Sequence, residues 1–312
     1  MTELSLGNIE EAARVVEPAF RNTPQFREPT LSERLGRELV VKIETLNPLG
    51  SFKGRGTDYY LHGVEGGQEV VCASAGNFGQ GIAYAGAKRD SLVTVFTATN
   101  ANPGKVARMR ALGADVRQVG ADFDAAKDAA REYAREPGRL FVEDGEAPAI
   151  AEGAGTIAAE LAPLGLDTIL VPVGNGSLIS GIGRYLRAHS PRTRVIGICA
   201  AGAPAMERSW RAGRPISTEA AHTSADGIAV RVPVPVSVRW TREYVDDMVL
   251  VGEEFLVEGL RLARDTLGML LEPSAVAGFA ALLQHDLPGE TAGTIITGRN
   301  YSQKLLAELT SA

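Results

Sequence analysis

Val70-Val71-Cys72-Ala73-Ser74-Ala75-Gly76-Asn77-Phe78-Gly79-Gln80-Gly81 runs from a short apolar stretch through a glycine-rich turn into an amphipathic segment, Ile82 to Lys88. An apolar run of strand length followed by a segment of helical period is the unit of a parallel sheet covered by helices. The unit recurs downstream: Leu92 to Phe96 precedes Lys105 to Leu112, and Val116 to Val119 precedes Asp124 to Arg135. A second series starts with Thr168 to Val173 and Leu178 to His189, continues through Val195 to Ala200 and Ala205 to Ala212, and ends near Thr294 to Thr297. The pattern predicts an α/β fold with two open, twisted, mainly parallel sheets flanked by helices. Gly63-Val64-Glu65-Gly66-Gly67 and Gly145-Glu146-Ala147-Pro148 carry the punctuation of chain crossings, which nests one lobe inside the other. On that division residues 1–62 and 148–312 form a large domain, residues 66–146 a small domain inserted in it, and a cleft lies between them.

The 312 residues suffice for two compact lobes. With 32 basic and 38 acidic residues, a net charge of -6 and no basic tract interleaved with aromatics, the chain lacks the footprint of a nucleic-acid binder. Cys72 and Cys199 each lie in an apolar run, the setting of buried thiols in a reducing compartment rather than of a disulfide. The N-terminal stretch MTELSLGNIEEAARVVEPAF carries acidic residues and no basic-then-apolar signal arrangement. No apolar run approaches the roughly 20 residues that span a bilayer. A soluble cytoplasmic protein with no membrane or nucleic-acid partner is expected.

Leu39 to Ile43 leads through Asn47-Pro48-Leu49-Gly50 to Ser51-Phe52-Lys53-Gly54, so one lysine follows a strand and a turn. A lysine that forms a Schiff base must shed its proton, and apolar shielding, here from Phe52, favours the neutral amine. The same local pattern also fits a solvated lysine on an open loop. Ser74 to Gly81 opens a helix, where unsatisfied amides suit an anion such as a carboxylate. Ser74 either adds a hydroxyl donor there or serves only as a helix cap. Gly174-Asn175-Gly176-Ser177-Leu178 again lies between a strand and a helix and can close main-chain amides on a phosphate. It matches neither GxxxxGKS/T nor GxGxxG with an acidic residue about 20 positions on, which argues against triphosphates and dinucleotides. Thr294-Ile295-Ile296-Thr297-Gly298-Arg299-Asn300 is a strand ending in a hydroxyl and a glycine, a place to meet a ring nitrogen or simply to end a strand. His62, His189, His222 and His285 are scattered without ligand spacing, and Asp226 and Asp246-Asp247 fit turn and cap roles.

Taken together the motifs resemble the pyridoxal-phosphate enzymes of fold type II, the tryptophan synthase β-like group, and within it the threonine/serine dehydratase and serine racemase branch. SFKGRG (51–56), SAGNFGQG (74–81), VPVGNGSL (171–178), ADGIAV (225–230), VDD (245–247), LEPSAVAG (271–278) and TGRN (297–300) follow in the family's order. The resemblance implies pyridoxal 5'-phosphate in the cleft between the large, cofactor-binding domain and the small, substrate-loop domain. It implies that Lys53 holds the cofactor as a Schiff base and, once released, removes the α-proton. Phe52 would pack beside the ring, Gly174, Asn175, Gly176, Ser177 and Leu178 would cradle the phosphate, and Asn77 would meet the phenolic oxygen. Gly227 and Glu272 would lie at the ring's edge and Thr297 at its nitrogen. Ser74, Ala75, Gly76, Asn77 and Phe78 would take the substrate carboxylate.

A neutral hydroxyl at the ring nitrogen leaves it largely unprotonated, which favours prompt loss of a β-substituent over transamination. The implied activity is α,β-elimination from a small β-hydroxy amino acid such as L-threonine or L-serine, giving a 2-oxo acid and ammonia. Ala75 stands where racemases of the branch carry a second serine, which disfavours racemisation. Phe78, Asn175 and Arg299 also depart from the branch's usual histidine and two glycines, and leave the substrate's identity open. Cys199-Ala200 replaces the Glu-Pro of members with a divalent cation, so no metal is expected. With the sequence ending at Ala312, no regulatory domain like that of the biosynthetic dehydratases is expected, and the resemblance suggests a homodimer. Asn47-Pro48 keeps open a β-replacement synthase making a β-substituted amino acid, and a non-catalytic cofactor-binding protein or plain nucleotide binder is the remaining alternative.

Overall fold

The computed structural model describes residues 3–301; the ends of the expected large domain, 1–2 and 302–312, lie outside the described residues. Helix α1 (Leu6–Val15), strand β1 (Gln25–Arg27), α2 (Pro29–Arg34) and β2 (Glu38–Ile43) lead to α3 (Lys53–His62). There follow β3 (Glu69–Ala73), α4 (Asn77–Ala87), β4 (Val93–Thr97), α5 (Pro103–Ala111), β5 (Asp115–Gln118), α6 (Phe123–Tyr133) and β6 (Arg139–Phe141). The remainder comprises α7 (Pro148–Leu161), β7 (Thr168–Pro172), α8 (Ser177–His189), β8 (Arg194–Ala200), α9 (Ala205–Ala212), α10 (Pro235–Tyr244), β9 (Asp247–Val251), α11 (Glu253–Leu262), α12 (Ala277–Gln284) and β10 (Thr291–Ile296).

Two sheets result. The six-stranded sheet has the order β1-β2-β10-β7-β8-β9 and the four-stranded sheet β5-β4-β3-β6. All pairings are parallel except that of β1 with β2 at one edge. Strands β7 and β4 are buried at every position, as strands covered by helices on both faces must be. The α/β fold with two mainly parallel sheets that the residue pattern predicts is therefore the fold observed. The four-stranded sheet draws only on residues 69–141, and the six-stranded sheet only on residues before 44 and after 167.

The local pattern gives no sign of α3, which begins at Lys53 directly after the expected turn. Gly54 and Gly56 lower the helix propensity of this segment and hide it. Packing against α7 overrides propensity: a side chain at position 56 would overlap the carbonyl oxygen of Ile150. The helix after the first glycine-rich turn likewise starts at Asn77 rather than Ile82, so Asn77 and Phe78 lie in its first turn.

Beneath α3 lies a buried ionic cluster. Arg55, fully buried, donates from Nε and Nη2 to the two oxygens of Glu44 at 2.9 and 2.8 Å and from Nη1 to Glu160 Oε1 at 2.6 Å. Lys42 pairs with Glu160 and donates to the carbonyl of Thr23 at 2.8 Å. Two cations and two carboxylates thus tie β2, α3 and α7 together. Cys72 and Cys199 are free and buried, and burial pushes both thiols up to about 12. Among the described residues no helix is long and apolar enough to cross a membrane.

Candidate active site

The C-terminal ends of β3, β6, β7 and β10 point toward one cavity of about 420 Å³, the place where open α/β sheets take their ligands. Phe52, Lys53, Ser74, Ala75, Gly76, Asn77, Phe78, Gly174, Asn175, Gly176, Ser177, Leu178, Gly227, Glu272 and Thr297 all border it. Every residue named from the sequence as a cofactor or substrate contact therefore borders one cavity, although the segments are separated by as many as 245 positions.

Lys53 is the first residue of α3 and its side chain is 15 % exposed. Its Nζ lies 4.6 Å from the centre of the Phe52 ring and 5.8 Å from that of Phe78, and it donates to Asp144 Oδ2 at 2.6 Å. The open-loop reading of this lysine is thereby removed. Ser74 does not cap α4; Gly76 occupies the cap position. The Ser74 Oγ accepts instead from the amides of Gly79 at 3.0 Å and Gly76 at 3.2 Å, which leaves its hydrogen free to donate. Among the described residues the amides of Ala75, Asn77 and Phe78 have no acceptor within the chain.

At the second turn the amides of residues 174 to 178 are likewise without acceptors among the described residues. Val173 N–H still goes to Ile198 O before them, and Ser180 N–H to Gly176 O after them. Five successive free amides at the N-terminus of the thirteen-residue α8 form a strong anion cradle. Gly227 sits against Gly174, where an added Cβ would come within 2.7 Å of the Gly227 carbonyl. On the far wall Asn77 Nδ2 donates to Glu272 Oε1 at 2.8 Å, while Asn77 Oδ1 accepts from Asn300 Nδ2 at 2.7 Å. The second hydrogen of Asn77 Nδ2 is left for a ligand. Glu272 Oε2 is buried without a partner among the described residues. Burial, with a smaller push from Asp226, raises this carboxyl to about 7. Thr297 lies one residue beyond β10 and is 4 % exposed.

Several cavity residues carry no signal in the sequence motifs. Asp144, Glu143, Phe123, Asp124, Lys105, Lys127 and Arg231 also line it. Asp144 adjoins Gly145, read from the sequence only as punctuation between lobes. Asp226 is more than a turn residue: it pairs with Lys105 across the mouth of the cavity, and Arg231 pairs with Asp124 beside it. Asp246 does have the structural role expected, accepting from Val195 N at 2.8 Å. None of His62, His189, His222 and His285 borders the cavity. Among the described residues no group of three or more His, Cys, Asp or Glu side chains is gathered as for a metal ion.

A lysine amine, a separate phosphate-sized anion cradle and a carboxylate-sized one share this cavity. The sequence pattern of the family described as "Pyridoxal-phosphate dependent enzyme" matches residues 16–298. The chain belongs to this family. Among the family's relatives, the L-threonine ammonia-lyase of Thermotoga maritima is 33 % identical over 309 residues, covering 97 % of this chain and 77 % of the relative. The solved structure of the T.th. threonine deaminase is 31 % identical and superposes with a TM-score of 0.90, covering 96 % of this chain and 99 % of that one. Maize serine racemase, at 24 % identity, shares the fold with a TM-score of 0.93 over 99 % of this chain and 98 % of that one. The pyridoxal-phosphate enzyme family thus accounts for the two sheets, and the chain is of fold type II.

Proposed function

We propose that the protein catalyses pyridoxal-phosphate-dependent α,β-elimination on a small β-hydroxy amino acid such as L-threonine or L-serine, releasing a 2-oxo acid and ammonia. The observation that carries this reading is the meeting of Lys53, the free amides of residues 174–178 and the Ser74 turn in one cavity. The relatives named as threonine ammonia-lyase and threonine deaminase support it. The cradle of free amides fits the cofactor's phosphate, so the residues present suit the group.

When bound, pyridoxal phosphate supplies an aldehyde that condenses with amines and a ring that draws electrons from the substrate's α-carbon. Residues 174–178 would hold the phosphate on the N-terminus of α8. Phe52 would flank the ring, Asn77 would donate to its phenolic oxygen through the remaining Nδ2 hydrogen, and Gly227 and Glu272 would border its edge. Thr297 would offer a neutral hydroxyl rather than a carboxylate to the ring nitrogen. The Ser74 hydroxyl and the amides of Ala75, Asn77 and Phe78 would hold the substrate carboxylate, with Gly76 shaping the turn. Lys53 would take the α-proton. Ala75 offers no titratable hydrogen for the opposite face, which favours elimination over racemisation.

Asn47, which kept a β-replacement synthase in view, is taken up in the turn itself. Its Nδ2 donates to Glu44 O at 2.8 Å and Ser51 O at 3.1 Å, and its Oδ1 accepts from Leu49 N at 3.0 Å. We further propose the division into residues 1–62 with 148–312 and residues 66–146, and a cytoplasmic homodimer. Incubation with L-threonine or L-serine should release 2-oxo acid without any added nucleophile. Lys53→Ala should lose the borohydride-fixable cofactor and at least about a thousandfold in turnover. Product formed only when a nucleophile is supplied would turn the assignment to β-replacement.

A further inference from the structure

Asp144 lies outside every motif of the chain and yet makes the shortest polar contact of Lys53. Its Oδ2 accepts from Lys53 Nζ at 2.6 Å and its Oδ1 from Ser177 Oγ at 2.9 Å. The carboxylate therefore bridges the amine and the first residue of α8. Both charged side chains are largely enclosed, 15 % exposed for Lys53 and 17 % for Asp144. Among the described residues no other hydrogen-bond partner of Lys53 Nζ is present.

The turn that carries Asp144 is held from both sides. Gly145 has φ +94°, and a side chain there would come within 2.8 Å of Asn175, so the turn is pressed against the amide cradle. On the other flank Glu143 is buried and bound by Lys127 at 3.2 Å and Arg131 at 2.5 Å. Its carbonyl accepts from the amides of Glu146 and Ala147 at 3.1 and 3.3 Å. A carboxylate fixed in this way, on a segment separate from both groups it joins, acts as a preset anchor rather than a wandering surface acid.

We propose that Asp144 is the positioning residue of Lys53, the counter-ion that holds its amine in the cavity whenever that amine is free. The proposal rests on the reading of Lys53 given under Proposed function. It has two consequences of opposite sign. In the unloaded protein the amine must leave Asp144 before it can attack an aldehyde, and Ser177 must turn its hydroxyl from Asp144 toward a phosphate. Asp144 therefore slows cofactor uptake. During turnover, once the substrate's amine has replaced Lys53, the freed amine takes the proton from the α-carbon and leaves the electron pair on the substrate. The ammonium so formed donates to the Asp144 carboxylate. By fixing Nζ at that point Asp144 speeds turnover.

The test uses Asp144→Asn, which keeps the shape and removes the charge. Uptake is followed by the visible absorbance band that appears when pyridoxal phosphate is added to protein stripped of cofactor, and turnover by 2-oxo acid release from L-threonine. The expected result is uptake several-fold faster than wild type with kcat lower by about tenfold or more, the cost of a misplaced reacting group, and KM within about twofold. Asp144→Ser should give the same pair of signs and serves if the asparagine variant does not fold. Any other combination, including both rates falling as for a merely structural residue or both staying unchanged, overturns the proposal. Wild-type protein that takes up no cofactor on Lys53 would instead overturn the reading beneath it.

Discussion

Glu272 shows how a single buried carboxyl sets a pH dependence. Its ordinary value of 4.5 is raised to about 7, mainly by burial. Between those two values the folded chain keeps a proton that the unfolded chain has released, so stability falls as pH rises from about 4.5 to about 7 and is level beyond. The loss is on the order of 3 kcal/mol. Glu272→Gln should abolish that fall, so that urea unfolding of the unloaded variant at pH 5 and pH 8 differs much less than for wild type. A wild type that gains stability relative to the variant over this interval would contradict the assignment. At this scale the sequence is uneven as a guide. Lys53, Ser74 and Gly174 announce themselves because their chemistry sits in turns whose composition is diagnostic. Asp144 does not, because its role depends on the docking of its turn against Asn175, a contact between segments 30 positions apart.

Elements were legible where the hydrophobic period decides them and obscure where packing does. The strands from β3 to β5 and from β7 to β8 follow from their apolar runs, as do the helices between them. Helix α3 does not, because glycines that weaken it locally are what allow it to lie against α7. Gly56→Ala should therefore destabilise the protein despite its better helix propensity. Its added methyl meets the Ile150 carbonyl, a backbone atom that cannot step aside, and overpacking of this kind costs about 1 to 3 kcal/mol. A lowered urea midpoint at unchanged m-value is the expected signature; an unchanged or raised midpoint would show that the two helices can separate. Since α3 begins with Lys53, the same variant should also weaken cofactor retention.

Across the whole molecule, two ion pairs bridge the mouth of the cavity. Lys105 of α5 meets Asp226, and Asp124 of α6 meets Arg231, so helices beside the four-stranded sheet are joined to the loop that follows α9. Partly exposed pairs contribute about 0.2 to 1 kcal/mol each and are screened by salt. Asp124→Asn is expected to raise KM for the amino acid by no more than about fivefold, with the difference from wild type shrinking as salt is added. An effect that is larger, or indifferent to salt, would mean that Asp124 touches the substrate. The two-sheet plan was readable from the alternation of strands and helices, whereas this clasp was not, since charges on helix faces give no sign of which distant loop they will meet. The ionic cluster under α3 carries a different implication, for how this chain can change over time. Losing one of Arg55, Glu44, Glu160 or Lys42 strands a buried charge at a cost of about 3 to 5 kcal/mol, while replacing the set together by well-packed apolar residues is tolerable. Substitutions at these four positions are thus expected to be inherited as a group, and a library that varies them one at a time would miss every viable replacement.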